Sequence, residues 1–271
     1  MTPARLLLLA LAIVALGGVA YRIFGPTPAE RLAALLDERR WSDAEAIARD
    51  ALEDAAGESR ADLYRGLGVA LGRQQKHAEA MGAYQSAYAL RPTDHDLRHR
   101  AAIEMVGMGQ QHDERGDSDA ALARYREAVA LAPEIPHGHH ALVASLRERG
   151  ERDAAIAALH EGLEHGPGDT YLRLDLAWLL ATHPDPEKRD AERALELAYD
   201  IFLHDRTPET LDTLAVALAA RGEFAQAVEF ELQAIALAEG EAEVGFEGRG
   251  ERLEAFQAGR PYLEGVARAG P

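Results

Sequence analysis

"ADLYRGLGVALGRQQKHAEAMGAYQSAYALRPTD", residues 61–94, decides the fold because it recurs. Laid over "AIEMVGMGQQHDERGDSDAALARYREAVALAPEI" (102–135), it puts Gly68 on Gly109, Ala80 on Ala121, Tyr84 on Tyr125, Ala87 on Ala128 and Pro92 on Pro133. The next stretch, "PHGHHALVASLRERGERDAAIAALHEGLEHGPGD" (136–169), carries Ala155, Leu159, Gly162 and Pro167 in the same places, and the step from Pro133 to Pro167 is 34 residues. A fixed period of this length marks a repeat architecture, in which neighbours stack because no unit buries its apolar face alone. Each period reads as two helices. Gly116, Gly150 and Gly222 end the first by tolerating a left-handed backbone. Pro92, Pro133 and Pro167 end the second, since proline lacks the N–H and clashes with the preceding turn. Small residues at the matched Gly and Ala places let the two helices approach closely.

These units resemble tetratricopeptide (TPR) repeats. That pattern has a large residue at position 4, Leu-Gly at 7–8, Tyr at 11, Ala at 20, an aromatic at 24, Ala at 27 and Pro at 32. Residues 61–94 match it with Tyr64, Leu67, Gly68, Leu71, Ala80, Tyr84, Ala87 and Pro92. "PETLDTLAVALAARGEFAQAVEFELQAIALAEGE" (208–241) matches with Leu211, Leu214, Ala215, Leu218, Ala227 and Ala234. A degenerate first unit at 26–58 keeps Trp41, Ala44, Ala48 and Ala51. The expected fold is all-α: an α-solenoid of about six helix-turn-helix repeats (26–58, 61–94, 102–135, 136–169, 170–207 and 208–241), with an N-terminal transmembrane helix before it and a C-terminal capping helix after it. Tyr64, Tyr84 and Tyr125 recur at the fold's own period and are expected in the core.

Composition agrees and excludes several function classes. Ala, Leu, Glu and Arg, which lose little on entering a helix, dominate the chain. The net charge of −17 repels polyphosphate, so nucleic acid is not an expected partner. The chain has no Cys, which removes disulfides, thiolate nucleophiles and Cys-ligated metals.

The first 25 residues, "MTPARLLLLALAIVALGGVAYRIFG", run uncharged from Leu6 to Tyr21. Sixteen helical residues span roughly 24 Å, short of a ~30 Å hydrocarbon core. A snorkelling Arg22 lets Ile23 and Phe24 complete the span, giving membrane contact through residues 6–24. The competing reading is a cleaved signal peptide with small residues at Gly18 and Ala20. The first places the chain as a single-pass membrane protein, with the periplasmic side preferred. The second makes it a secreted periplasmic chaperone or assembly factor.

Three irregularities follow. "HDLRHRA" (95–101) adds seven residues, close to two helical turns, so the next helix is expected to lengthen N-terminally. "THPDPEKRD" (182–190) enlarges one hairpin by five residues into an exposed elbow stiffened by its prolines. Residues 242–271 hold a Gly- and Glu-rich connection, expected to be mobile, then "ERLEAFQAGRPY", a closing helix ending near Gly259 and Pro261.

No P-loop, nucleophile elbow or dinucleotide fingerprint stands in the body of the chain, so no enzyme, cofactor or small-molecule substrate is expected. His95 and His99, spaced i,i+4, and the "PHGHH" histidines lack the companion ligands of a metal site. What the TPR resemblance implies is binding by shape: a protein or peptide segment in a concave groove lined by first-helix positions. Carried over by position, these are Asp62, Arg65, Val69 and Arg73; Ile103, Val106, Gln110 and Glu114; His137, His140, Ala144 and Arg147; Tyr171, Leu174, Asp175 and Trp178; and Glu209, Asp212, Thr213 and Val216. The carboxylate-clamp subgroup places Asn at position 9, where this chain has Val69. Trp178 has two readings, packing residue or groove anchor, the latter because Trp is enriched in binding hot spots.

Overall fold

The computed structural model describes residues 25–238 and 248–264. The expected membrane or signal segment falls on residues 1–24 and the Gly- and Glu-rich connection on 239–247, both outside the described residues. No helix among the described residues is long and apolar enough to cross a membrane.

The described residues form six helix hairpins and a final helix: α1 (Pro28–Asp37) with α2 (Trp41–Asp54), α3 (Gly57–Gly72) with α4 (His77–Leu90), α5 (His95–Glu114) with α6 (Ser118–Leu131), α7 (Pro136–Glu148) with α8 (Arg152–His165), α9 (Thr170–Thr182) with α10 (Ala191–Phe202), α11 (Pro208–Ala220) with α12 (Phe224–Ala238), and α13 (Arg249–Gln257). Helix starts follow sequence chemistry. Thr27 and Glu30 form a reciprocal capping box ahead of α1, with Pro28 in its first turn. Asp169, Asp190 and Thr207 accept backbone N–H groups at the starts of α9, α10 and α11. The short turn inside five of the six hairpins, all but the α9–α10 elbow, uses a left-handed residue. Gly116, Gly150 and Gly222 supply it at φ +77°, +73° and +87°, whereas the first two hairpins use Arg39 (φ +57°) and Gln75 (φ +60°). A non-glycine residue there is uncommon because its Cβ crowds the carbonyl. The glycine signal in the sequence therefore marks only the later turns.

The chain divides into two compact units, residues 1–107 and 108–271, the division falling within α5. In the first, Leu32, Ala44, Ala48, Leu63, Leu67, Ala80, Tyr84 and Ala87 are buried. A Cβ on Gly68 would stand 2.7 Å from the Tyr84 ring, so the glycine is what admits the tyrosine. Gly109 and Tyr125 repeat the arrangement in the second unit at 2.3 Å. Tyr64 departs from the expected core position. It is half-buried beneath the Arg60 guanidinium, 5.7 Å from its ring centroid, and Leu63 beside it takes the interior. The helix face turns by about 100° per residue, so the neighbour captures the site when it fits better.

The two insertions take different forms. The residues at 95–101 open α5, which is 20 residues long. The elbow at 183–190 is exposed at Pro184 and Pro186 but anchored at its base. His183 is buried, with Nε2 3.3 Å from Asp153, and its carbonyl accepts from Arg189 Nε at 2.9 Å.

Candidate functional site

The first helices of the hairpins carry the residues expected to line a groove. In the first unit, α1, α3 and the start of α5 leave a cleft of 520 Å³ lined by Leu32, Leu36, Asp62, Arg65, Val69 and Arg100, among others. Arg65 is exposed and Val69 half-buried. Asp62 accepts from Arg91 Nη1 at 2.7 Å, and this hydrogen bond holds its carboxyl below the usual range. The cleft thus has an apolar and charged lining, the chemistry of a surface that seats an amphipathic segment. Gly66 belongs to that lining, and a Cβ there would stand 2.4 Å from Leu32. Arg73 does not line the cleft. As the C-cap of α3 it reaches the ring of Trp41, 5.9 Å from the centroid. Ile103 is 44% exposed on α5, whereas Val106, which also counts positionally as groove-lining, is fully packed. Gln110 is exposed on the same helix, within the second unit.

In the second unit part of the corresponding face, on α9 and α11, is covered by the chain itself, while Gln110, His137, Ala144 and Tyr171 stay exposed. α11 is buried from Thr210 to Ala219 on all sides, including Asp212, Thr213 and Val216. Their expected place on an open groove is therefore corrected: all three are buried, and residues 248–264 close over Asp212. Arg252 donates from Nε to Asp212 Oδ1 at 2.9 Å and from Nη2 to Oδ2 at 2.6 Å. Arg249 Nε adds a bond to Oδ2 at 3.3 Å. Glu231 of α12 completes the cluster, its Oε1 3.3 Å from Arg252 Nε. All four side chains are buried. Burial, reinforced by the Asp212 charge, pushes the Glu231 carboxyl well above the usual carboxylate range.

Trp178 belongs to the same assembly. Its ring lies 5.2 Å from the Arg252 guanidinium and 6.1 Å from the ring of Tyr262. Of its two readings the structure displays packing, against the chain's own C-terminal segment. Asp175 is also engaged: it pairs with Arg147, and burial raises its carboxyl against the pull of that arginine. Arg147 is held in turn by Glu264 at 3.0 Å. The histidines are dispersed. His139 is buried and stacked on His165, with Nε2 2.9 Å from the Pro133 carbonyl. His140 Nε2 lies 3.0 Å from Asp169 Oδ1, and His137 is exposed. Among the described residues no group of three or more His, Cys, Asp or Glu is placed to hold a metal ion.

Sequence reasoning missed Arg249, Arg252, Glu231 and Tyr262. The available signal was "RGERLEAFQAGRPY", which has two arginines three apart and so on one helix face.

No protein-family model matches the chain, and no curated protein is similar to it in sequence. Solved structures are similar in fold. Residues covering 86% of this chain superpose on 92% of the C-terminal part of a TPR repeat-containing protein from Cytophaga hutchinsonii, with a TM-score of 0.55 and 14% identity. Pseudomonas aeruginosa PilF matches over 85% of this chain and 95% of its own, with a TM-score of 0.50 and 20% identity. At these identities the likeness is one of fold: an all-α helical repeat solenoid of the TPR kind.

Proposed function

We propose that this protein is a non-enzymatic scaffold that binds a partner protein through the first-helix face of its repeats, and that it does so at the bacterial envelope. The single observation that carries the binding reading is the cleft of the first unit. Arg65 and Arg100 share its lining with Leu32, Leu36 and Val69, so charged and apolar side chains meet in one cleft. An amphipathic helix or extended segment gains there by burying apolar surface while its polar groups meet the rim. The uncharged run from Leu6 to Tyr21 supports the envelope reading. A membrane anchor raises the effective concentration of partners in the same membrane, so modest affinity at the cleft suffices.

The test is affinity capture with the full-length chain from detergent-solubilised membranes, against Val69→Glu and Arg65→Glu. The expected result is a discrete partner recovered by the wild type and lost from both variants. Recovery unaffected by either substitution overturns the cleft assignment. Sequencing the amino terminus of the native protein separates anchor from leader: an intact Met1 in the membrane fraction supports the anchor, and a mature chain starting near Tyr21 replaces it with the secreted chaperone reading.

A further inference from the structure

Residues 248–264 do more than close the last hairpin. A cap needs to cover only the exposed side of the final repeat, and α13 against α12 does so, with Phe256 buried. The chain then turns at Gly259 (φ +66°) and runs back over earlier helices. Tyr262 meets Trp178 of α9, and the Glu264 N–H donates to the Thr182 carbonyl at 3.3 Å. The Glu264 carbonyl accepts from Arg152 Nη2 at 2.8 Å. This return path engages the places that stay open in the first unit. Asp212 holds the repeat position of Arg65, the fifth, and Trp178 that of Val69, the ninth.

The contact is a strong one but an imperfect fit. Trp178 Nε1 and Arg249 Nη1 are buried without a hydrogen-bond partner in the chain. Each such atom forfeits hydration without full compensation. A competing segment that satisfies them gains what this one leaves unmade. Its chemistry is constrained by Asp212 beneath. An apolar competitor would leave the Asp212 carboxylate buried without a cation, a severe penalty, whereas one bringing its own arginines exchanges like for like.

We propose that residues 249–264 are an intramolecular ligand that keeps this face shut, and that the partner which opens it presents the same chemistry: two arginines one helical turn apart, followed about ten residues on by an aromatic ring. The inference rests on the scaffold reading for its biological use, but not for its test, which employs no natural partner.

The experiment is fluorescence anisotropy with a labelled synthetic peptide of residues 248–264, titrated with the full-length protein and with its Arg252→Ala/Tyr262→Ala variant. The expected result is saturable binding to the variant at least tenfold tighter than to the wild type, abolished when both peptide arginines (249 and 252) are replaced by alanine. Equal affinities, or no binding by a variant whose circular dichroism and melt show it folded, overturn the proposal. Should the variant not fold, hydrogen exchange of the wild type decides. Amides of residues 249–264, the strap, exchanging at least tenfold faster than those of α11 support a detachable ligand, and exchange in step with α11 overturns it. Peptide binding together with failed partner capture at Val69 would leave the strap standing and remove the scaffold reading; the converse would do the opposite.

Discussion

Arg65 and Asp212 occupy one and the same place in the repeat, yet they live in different worlds. Arg65 is exposed at the rim of a cleft, and Asp212 is buried under two arginines. Val69 and Trp178 make a second such pair, one lining open space and the other lying against Tyr262 and Arg252. The period assigns a face to a residue, and what covers that face is decided by chain far away in sequence. A positional rule carried from repeat to repeat therefore predicts orientation and leaves availability undetermined.

The contrast can be broken most forcefully at the buried cluster. Arg252→Ala leaves the Asp212 carboxylate without its main cation and is expected to cost about 3–5 kcal/mol, read by urea denaturation. A much smaller loss, accompanied by rapid exchange of the strap amides, would mean that the carboxylate regains water as the segment leaves. Gly109→Ala should come next. Its Cβ would meet the Tyr125 ring at 2.3 Å, and overpacking of this kind costs about 1–3 kcal/mol in the melt. Gly68→Ala, 2.7 Å from Tyr84, is the matched change in the first unit and should be felt at the lower end of that range.

The two units also respond to pH with opposite signs. Glu45 of α2 accepts from Lys76 Nζ at 2.8 Å, chiefly for which reason its carboxyl falls to about 2. A depressed folded pKa gives stability that is present above the ordinary value of 4.5 and lost as pH falls through about 2. Glu231 is raised, so its contribution is fully present below 4.5 and is lost as pH rises through the folded value. Melting temperatures measured across pH should therefore show an acid-side loss removed by Glu45→Gln and an alkaline-side loss removed by Glu231→Gln. Identical profiles for wild type and Glu231→Gln would show that the cluster does not titrate as described. The smallest expected effect is at the open face: Arg65→Ala should shift stability by no more than about 0.5 kcal/mol, as exposed substitutions do, while Arg65→Glu abolishes partner capture.

Much of the fold is legible in the residues because the signals are local and repeated. Pro92, Pro133 and Pro167 mark the ends of second helices, Gly116, Gly150 and Gly222 mark turns, and Gly68 with Tyr84 marks a close helix crossing. Two positional readings nevertheless misled. Tyr64 yields the core to Leu63, and Arg73 turns to Trp41 instead of the cleft. The candidate site was half-legible: Arg65 and Val69 lie together as their positions imply, whereas Asp175, Trp178 and Asp212 are already engaged.

By itself the sequence determined the all-helical repeat, its period and the general face of the first helices, since these follow from helix geometry and from residue size at fixed spacing. Only the tertiary structure decided which stretch of that face stays open. Covering it depends on contacts spanning 40 residues between Arg252 and Asp212 and 117 between Arg147 and Glu264. Such contacts are selected by the geometry of buried charge and leave no periodic trace in the chain.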